Sequence, residues 1–401
     1  MTTAIYTITS PLHDPKAVDE ATKEFLASLD IDYRLLGTDY SSYGSHTLDL
    51  IYVRTGGAEG IFSELLPELR AKSRRPIYLL TSGKSNSLAA SMEILSYLRQ
   101  HDIAGEIIHG SAAYVKGRIE QLAKVAEARQ LMQGKRLGIV GQPSDWLISS
   151  HADRDAVAAR LGLMLEDVDM QELLDEIADS EAPAGTALEG EAPAGPIRDA
   201  VPGAVAIYHA LKHIAERRGL SGLTLRCFDL LTSVHNTGCI ALARLNSEGI
   251  TSSCEGDVPT LLSMVIAQAL TGVSGFQANP SRIDPELGRI LFAHCTIPFN
   301  LVERYELDTH FESGIGVGIR GYMPNGPVTI LKVSGDAGRH FVAEGQLLRS
   351  EGNPGLCRTQ QIIQLDDAAD ARYFLTNPIG NHHVIIPGHH RELIEAFFQS
   401  L

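Results

Sequence analysis

Short apolar runs alternate with amphipathic ones through the first 134 residues, and this alternation constrains the fold more than any other feature of the chain. Strand-like runs cover 4–9, 48–53, 76–80 and 105–109, and helix-like runs cover 15–28, 87–99 and 112–132. Strands separated by helices join in parallel and need helices on both faces, so an α/β fold is expected, opening with a doubly wound parallel-sheet domain over 1–134. A fresh apolar run at 137–141 opens an expected second α/β domain over 135–307, with helices at 166–179, 204–217 and 238–246 and a strand at 224–230. From 308 to 401 the pattern changes to short β-rich runs such as 328–333 and 360–365 separated by glycines, which predicts a C-terminal β-rich, barrel-like domain. Between the helices, Glu181-Ala182-Pro183-Ala184-Gly185 recurs as Glu191-Ala192-Pro193-Ala194-Gly195. Such small residues and prolines bury little surface, so 180–196 is expected to be a flexible insertion.

With 401 residues, 44% of them hydrophobic, the chain supports more than one buried core. A net charge of −15 disfavours a counterion-releasing groove for nucleic acid and an anionic membrane surface as partners. The five cysteines are scattered, with no C-x-x-C pair, which argues against a disulfide framework or a zinc knuckle and makes a reducing cytoplasm the expected compartment. The first residues lack a basic, apolar leader, and no run of about 18 apolar residues occurs, so neither export nor a membrane span is expected.

Two glycine-rich loops resemble phosphate loops only in part. Ser82-Gly83-Lys84-Ser85 has Tyr78 where a P-loop needs its first glycine, and Thr55-Gly56-Gly57-Ala58-Glu59-Gly60 departs from the dinucleotide spacing. The chemistry-bearing pattern lies later. Cys254-Glu255-Gly256-Asp257 sets two carboxylates just ahead of an apolar helix-like run at 261–270, where α/β enzymes keep their reacting groups. Asn279, Ala293-His294 and Asn381-His382-His383 follow. Individually these residues have bland readings, as helix caps for the acids and as core or surface histidines. Together they supply a carboxylate, an amide oxygen and imidazoles, a donor set suited to a divalent cation such as Mn²⁺.

That joint pattern resembles the L-fucose isomerase and L-arabinose isomerase superfamily. In that family the glutamate of the carboxylate segment binds Mn²⁺ and joins in proton transfer, which the resemblance implies for Glu255; Asp257 beside it is a candidate second catalytic carboxylate. Asn279 falls where the fucose isomerase branch has a metal-binding aspartate. Asn381-His382 is similar to that branch's Asn-His pair, a substrate holder and a metal ligand, and Ala293-His294 is similar to a ligand segment of the arabinose isomerase branch. The implied metal ligands are thus Glu255, Asn279, His294 and His382. Asn381, Trp146, Arg320, Lys84 and Asn86 are candidate substrate contacts, the last two across a subunit interface as the resemblance implies.

The implied cofactor is Mn²⁺, or Mg²⁺ or Co²⁺, and the implied assembly is a homo-oligomer, a trimer or hexamer. The implied activity is aldose–ketose isomerisation of a small sugar through an enediol. Asparagine at 279 cannot accept a proton, so Glu255 would act as base alone or with Asp257 or Asp284, and the cation would be held weakly. Two alternatives remain: a metal-assisted epimerase or lyase, and a sugar-binding protein that has lost the metal.

Overall fold

The computed structural model describes residues 2–180 and 187–401. It divides into two compact units, 1–130 with 392–401, and 131–391.

The first unit holds β1 (Thr3–Ile8), α1 (Pro15–Ser28), β2 (Arg34–Gly37), β3 (Leu48–Val53), α2 (Glu59–Lys72), β4 (Ile77–Leu80), α3 (Ser87–Gln100), β5 (Gly105–Ile108) and α4 (Ala112–Met132). Its five strands lie in the order β2-β1-β3-β4-β5, all parallel. β1 is buried along its whole length, with Ala4, Tyr6 and Ile8 in one core cluster and Ile5 in another, as a sheet covered on both faces requires.

The second unit begins with β6 (Arg136–Val140), α5 (Arg154–Leu161), β7 (Met164–Val168), α6 (Met170–Asp179), α7 (Ala187–Glu191), α8 (Pro196–Arg218), β8 (Leu220–Leu225), α9 (Asp229–Ser233), α10 (Cys239–Ser247), β9 (Thr251–Cys254) and α11 (Val258–Thr271). These strands form a second parallel sheet, β7-β6-β8-β9. It continues with β10 (Phe276–Asp284), β11 (Arg289–His294), β12 (Arg304–Asp308), β13 (Gly318–Tyr322), β14 (Gly326–Val333), β15 (His340–Ser350), β16 (Thr359–Leu365), α12 (Ala371–Thr376) and β17 (His383–Pro387); α13 (Arg391–Gln399) follows and lies almost wholly in the first unit. Six of these strands close an antiparallel barrel, β10-β11-β16-β15-β14-β17. Phe276, Ala278, Ile290, Phe292, Ile330, Ile363 and Ile385 belong to one cluster of buried apolar side chains, so the barrel is a packed core and not a channel.

The α/β class and the C-terminal barrel are as the sequence predicts, with local corrections. The helix expected at 166–179 starts only at Met170. Residues through Val168 complete a parallel strand against β6, and Asp169 caps the helix by accepting from the Gln171 amide. The strand expected at 224–230 ends at Leu225, and residues 229–233 turn into α9. Two barrel strands, β10 and β11, precede residue 308. Of the stretch expected to be a flexible insertion, 181–186 lie outside the described residues. The rest includes the helical turn α7 and a buried Ala192, whose carbonyl accepts from the Arg198 guanidinium. Arg198 lies on α8, so that carbonyl is tied to the helix that follows.

Candidate functional site

The site grows from the turn between β9 and α11. Glu255 sits in the left-handed region at φ 65°, where a non-glycine residue is strained, and Gly256 follows at φ 70°. A Cβ on Gly256 would lie 2.5 Å from the Gln142 carbonyl oxygen, so the tight approach of the 142–146 loop requires glycine here. Asp257 then caps α11, its Oδ1 accepting from the Thr260 amide at 2.8 Å, with Pro259 in the first turn.

The 142–146 loop is clamped over this turn. The Ser144 amide donates to the Glu255 carbonyl at 2.9 Å, and Arg226 donates to the Pro143 carbonyl and pairs with Asp145 and Asp229. The clamp delivers Trp146, whose indole N–H donates to Glu255 Oε2 at 2.7 Å. The Trp146 ring meets Phe228 edge-on, and Phe228 meets His310 in the same way.

Glu255 Oε1 faces two imidazoles, His382 Nε2 at 3.3 Å and His294 Nε2 at 3.6 Å. His294 ends β11, and His382 immediately precedes β17. All three side chains are buried, and one ligand atom from each lies within 4.8 Å of the others. His382 Nε2 has no hydrogen-bond partner, although it is fully buried. A buried ring nitrogen in that position is costly unless a proton facing Glu255 or a cation occupies its lone pair. Two imidazoles and a carboxylate suit a divalent cation, so this group could hold one.

Asp257 acts on the far side of His382. Its Oδ2 meets His382 Nδ1 at 2.9 Å and faces the Lys332 ammonium at 3.5 Å, and both side chains are fully buried. A carboxylate on Nδ1 makes that nitrogen the N–H donor and leaves Nε2 free for a cation, the arrangement metal-bound histidines ordinarily need. Lys332 Nζ also donates to Thr260 Oγ1 at 2.9 Å, so the buried ammonium has a hydroxyl partner beside the carboxylate.

The electrostatics follow from burial and pairing. Burial alone would push the Glu255 and Asp257 carboxyls up, but His382 and His294 beside Glu255, and Lys332 and His382 beside Asp257, hold both well below the usual carboxylate range. Burial opposes charge on His382 as well, yet the two carboxylates raise it to about 9. His294, with less carboxylate support, is pushed down by burial.

A cavity opens beside this cluster, lined by Glu255, His294 and Asn279 together with Phe228, His310 and Glu312 and by all five cysteines. Asn279 Oδ1 accepts from Asn381 Nδ2 at 3.1 Å, so the two asparagines act as a pair. Of the residues singled out in the sequence, Glu255, His294 and His382 therefore converge, Asn279, Asn381 and Trp146 are linked to them or line the cavity, and Asp257 stands behind His382. Arg320 does not line this cavity and pairs with Asp308 at 3.2 Å. Lys84, paired with Glu24, and Asn86 belong to the first unit. Asp284 caps the turn at the far end of β10, accepting from the amides of Glu286 and Leu287.

Glu312 and His310 were not legible as site residues, since they lie in an irregular segment with no motif around them. Burial and the charge of Glu255 push the Glu312 carboxyl up, while burial, chiefly, pushes His310 down to about 4.

Among the described residues no helix is long and apolar enough to cross a membrane. No protein-family model matches the chain. A stretch of 188 residues, 44% of the chain, is 28% identical to a sulfoquinovose isomerase of a Clostridium species and spans 41% of that protein. A longer match of 314 residues, 72% of the chain, is 24% identical to the sulfoquinovose isomerase of Priestia aryabhattai and spans 68% of it. The sulfoquinovose isomerase of Alkalicoccus urumqiensis is 22% identical over 226 residues, 52% of the chain and 49% of that protein. The chain is thus similar, at low identity, to sugar isomerases that it matches over part of their length.

Proposed function

We propose that this chain is a divalent-metal-dependent aldose–ketose isomerase of the fucose/arabinose isomerase-like superfamily, acting on a small sugar or sugar derivative. The observation that carries this reading is the convergence of Glu255, His294 and His382 on one buried point in the wall of an open cavity. The similarity to sulfoquinovose isomerases supports the reaction class and makes sulfoquinovose the first sugar to test.

A bound Mn²⁺, or Mg²⁺ or Co²⁺ in its place, would supply Lewis-acid polarisation of the substrate oxygens. Glu255, His294 and His382 would hold it, with Asn279 as a neutral fourth donor. The chain's own groups divide the proton work. Glu255 is held ionised and is the base that takes the proton from C2 of the aldose and returns it to C1. Glu312 is pushed the other way, toward its protonated form, and moves the hydroxyl proton between O2 and O1. Carboxyls in one cavity whose environments shift them apart are natural base and acid partners. This replaces Asp257 as the second carboxyl of the reaction, because Asp257 is fully buried behind His382 and does not line the cavity. Trp146 holds Glu255 Oε2 and offers its half-exposed ring as a floor for a sugar, with Asn381, hydrogen-bonded to Asn279, as a hydroxyl partner. A homo-oligomer would let Lys84 and Asn86 of one chain approach the site of another.

The test is incubation with Mn²⁺ and a panel of aldoses in D₂O, following ketose formation and solvent deuterium at the transferred position. Conversion that needs the metal and vanishes in Glu255→Gln is expected. An epimer in place of the ketose would redirect the assignment to epimerisation. Sugar binding that ignores both chelator and Glu255→Gln would mean a binding protein.

A further inference from the structure

All five cysteines, distant in sequence, line the one cavity beside Glu255: Cys227, Cys239, Cys254, Cys295 and Cys357. Two of them are poised for more than lining. Cys254 ends β9, Cys227 follows β8, and the two strands pair in parallel with Leu225 opposite Cys254. Their Sγ atoms lie 3.0 Å apart. A disulfide bond is about 2.05 Å long, so closing the pair takes about 1 Å of sulfur movement between the end of β9 and the turn that follows β8.

The consequence falls on the next residue. The Cys254 backbone is gripped by Gln277, whose Oε1 accepts from its amide at 2.7 Å, and Cys254 leads directly into Glu255 in its strained left-handed turn. A pull on Cys254 toward Cys227 would act against that grip and on the adjoining Glu255, whose Oε1 faces His294 and His382. We propose that Cys227 and Cys254 are an oxidation site, a dithiol that a peroxide converts to a disulfide, and that the linkage weakens cation binding at Glu255.

The chemistry balances. Sγ of Cys227, the more exposed of the two, attacks one peroxide oxygen; the O–O bond breaks, and a sulfenic acid and one water form. Sγ of Cys254 then attacks the Cys227 sulfur; the S–O bond breaks, a second water leaves and the S–S bond forms. Two thiols lose two electrons and two protons, and hydrogen peroxide is reduced to two waters. The cavity that both cysteines line has room for an oxidant little larger than water.

The linkage stands independently of the proposed function, whereas its effect on the centre rests on that reading, and the experiment separates them. Metal-free protein is treated with hydrogen peroxide, mapped by non-reducing peptide mass spectrometry, and titrated calorimetrically with Mn²⁺ before and after. A 227–254 linkage with loss of two hydrogens and an affinity loss of about tenfold or more, restored by dithiothreitol, is expected. Cys227→Ser and Cys254→Ser should each show neither the linkage nor an oxidant-induced change from their own untreated affinity. Free alkylation of both thiols after peroxide, or a linkage involving Cys239, Cys295 or Cys357 instead, overturns the site. The mapped linkage with unchanged Mn²⁺ affinity overturns its effect, and a linkage in a protein that binds no cation even when reduced leaves the oxidation site standing while rejecting the metal reading.

Discussion

At the scale of single residues, the candidate site depends on what each side chain's neighbours leave it free to do. Asp257 is a carboxylate that fixes a histidine. Asp257→Asn would present an amide N–H to His382 Nδ1, turn the ring's lone pair the wrong way and lower cation affinity about 10–100-fold, read by calorimetry. Glu312→Gln, by contrast, should leave cation affinity near that of the unaltered protein and remove turnover, since the task proposed for Glu312 is to move a proton. The pH dependence follows from His382. Its pKa rises from 6.5 to about 9 in the folded chain, so its bound proton stabilises the metal-free protein fully below pH 6.5. That contribution fades as pH climbs through 9. Urea denaturation of metal-free protein should therefore show this loss above pH 6.5, and His382→Asn should lack it. A bound cation displaces the same proton, so calorimetric heats near pH 7 should vary with the ionisation enthalpy of the buffer. The residue types of the centre were readable in the sequence, as Glu255, His294 and His382 were. Glu312 was not, because a lone acid in an irregular loop carries no periodic or spacing signal.

At the scale of elements, strands and helices place these groups through their ends. β9 hands over to α11 through Glu255 and Gly256, and the turn tolerates no Cβ at the second position. Gly256→Ala should destabilise the fold by more than about 1 kcal/mol, measured by chemical denaturation with the single Trp146 as fluorescent reporter. β14 brings Lys332 to Asp257, and Lys332→Met would take away one of the two cationic partners of a fully buried carboxylate, leaving it His382. A loss of about 3–5 kcal/mol is expected in the same measurement. The sequence located most of these elements, since apolar periodicity is a local property. It misjudged ends where pairing decided the outcome: Met164–Val168 carries acids that suit a helix, yet β6 offers a parallel edge and recruits the segment as β7. The edge strand β2, only four residues long and incompletely buried, left no pattern to find.

At the scale of the whole molecule, the chain leaves its first compact unit, builds the second and returns to the first through residues 392–401. Ile394 and Phe397 of α13 are buried, so deleting 392–401 should cost the first unit about 3–6 kcal/mol, seen as an earlier denaturation midpoint. The sequence by itself determined the α/β class, the parallel first sheet, the barrel at the C-terminal end and the residue types of a cation-binding pattern, because alternation and motif spacing are written along the chain. Only the tertiary structure decided that Asp257 faces His382 and not the cavity, that Glu312 lines the same cavity as Glu255, and that five scattered cysteines meet around it. Those outcomes depend on long-range strand pairing and on competition among neighbours for each buried proton and lone pair, and neither is encoded at any one position.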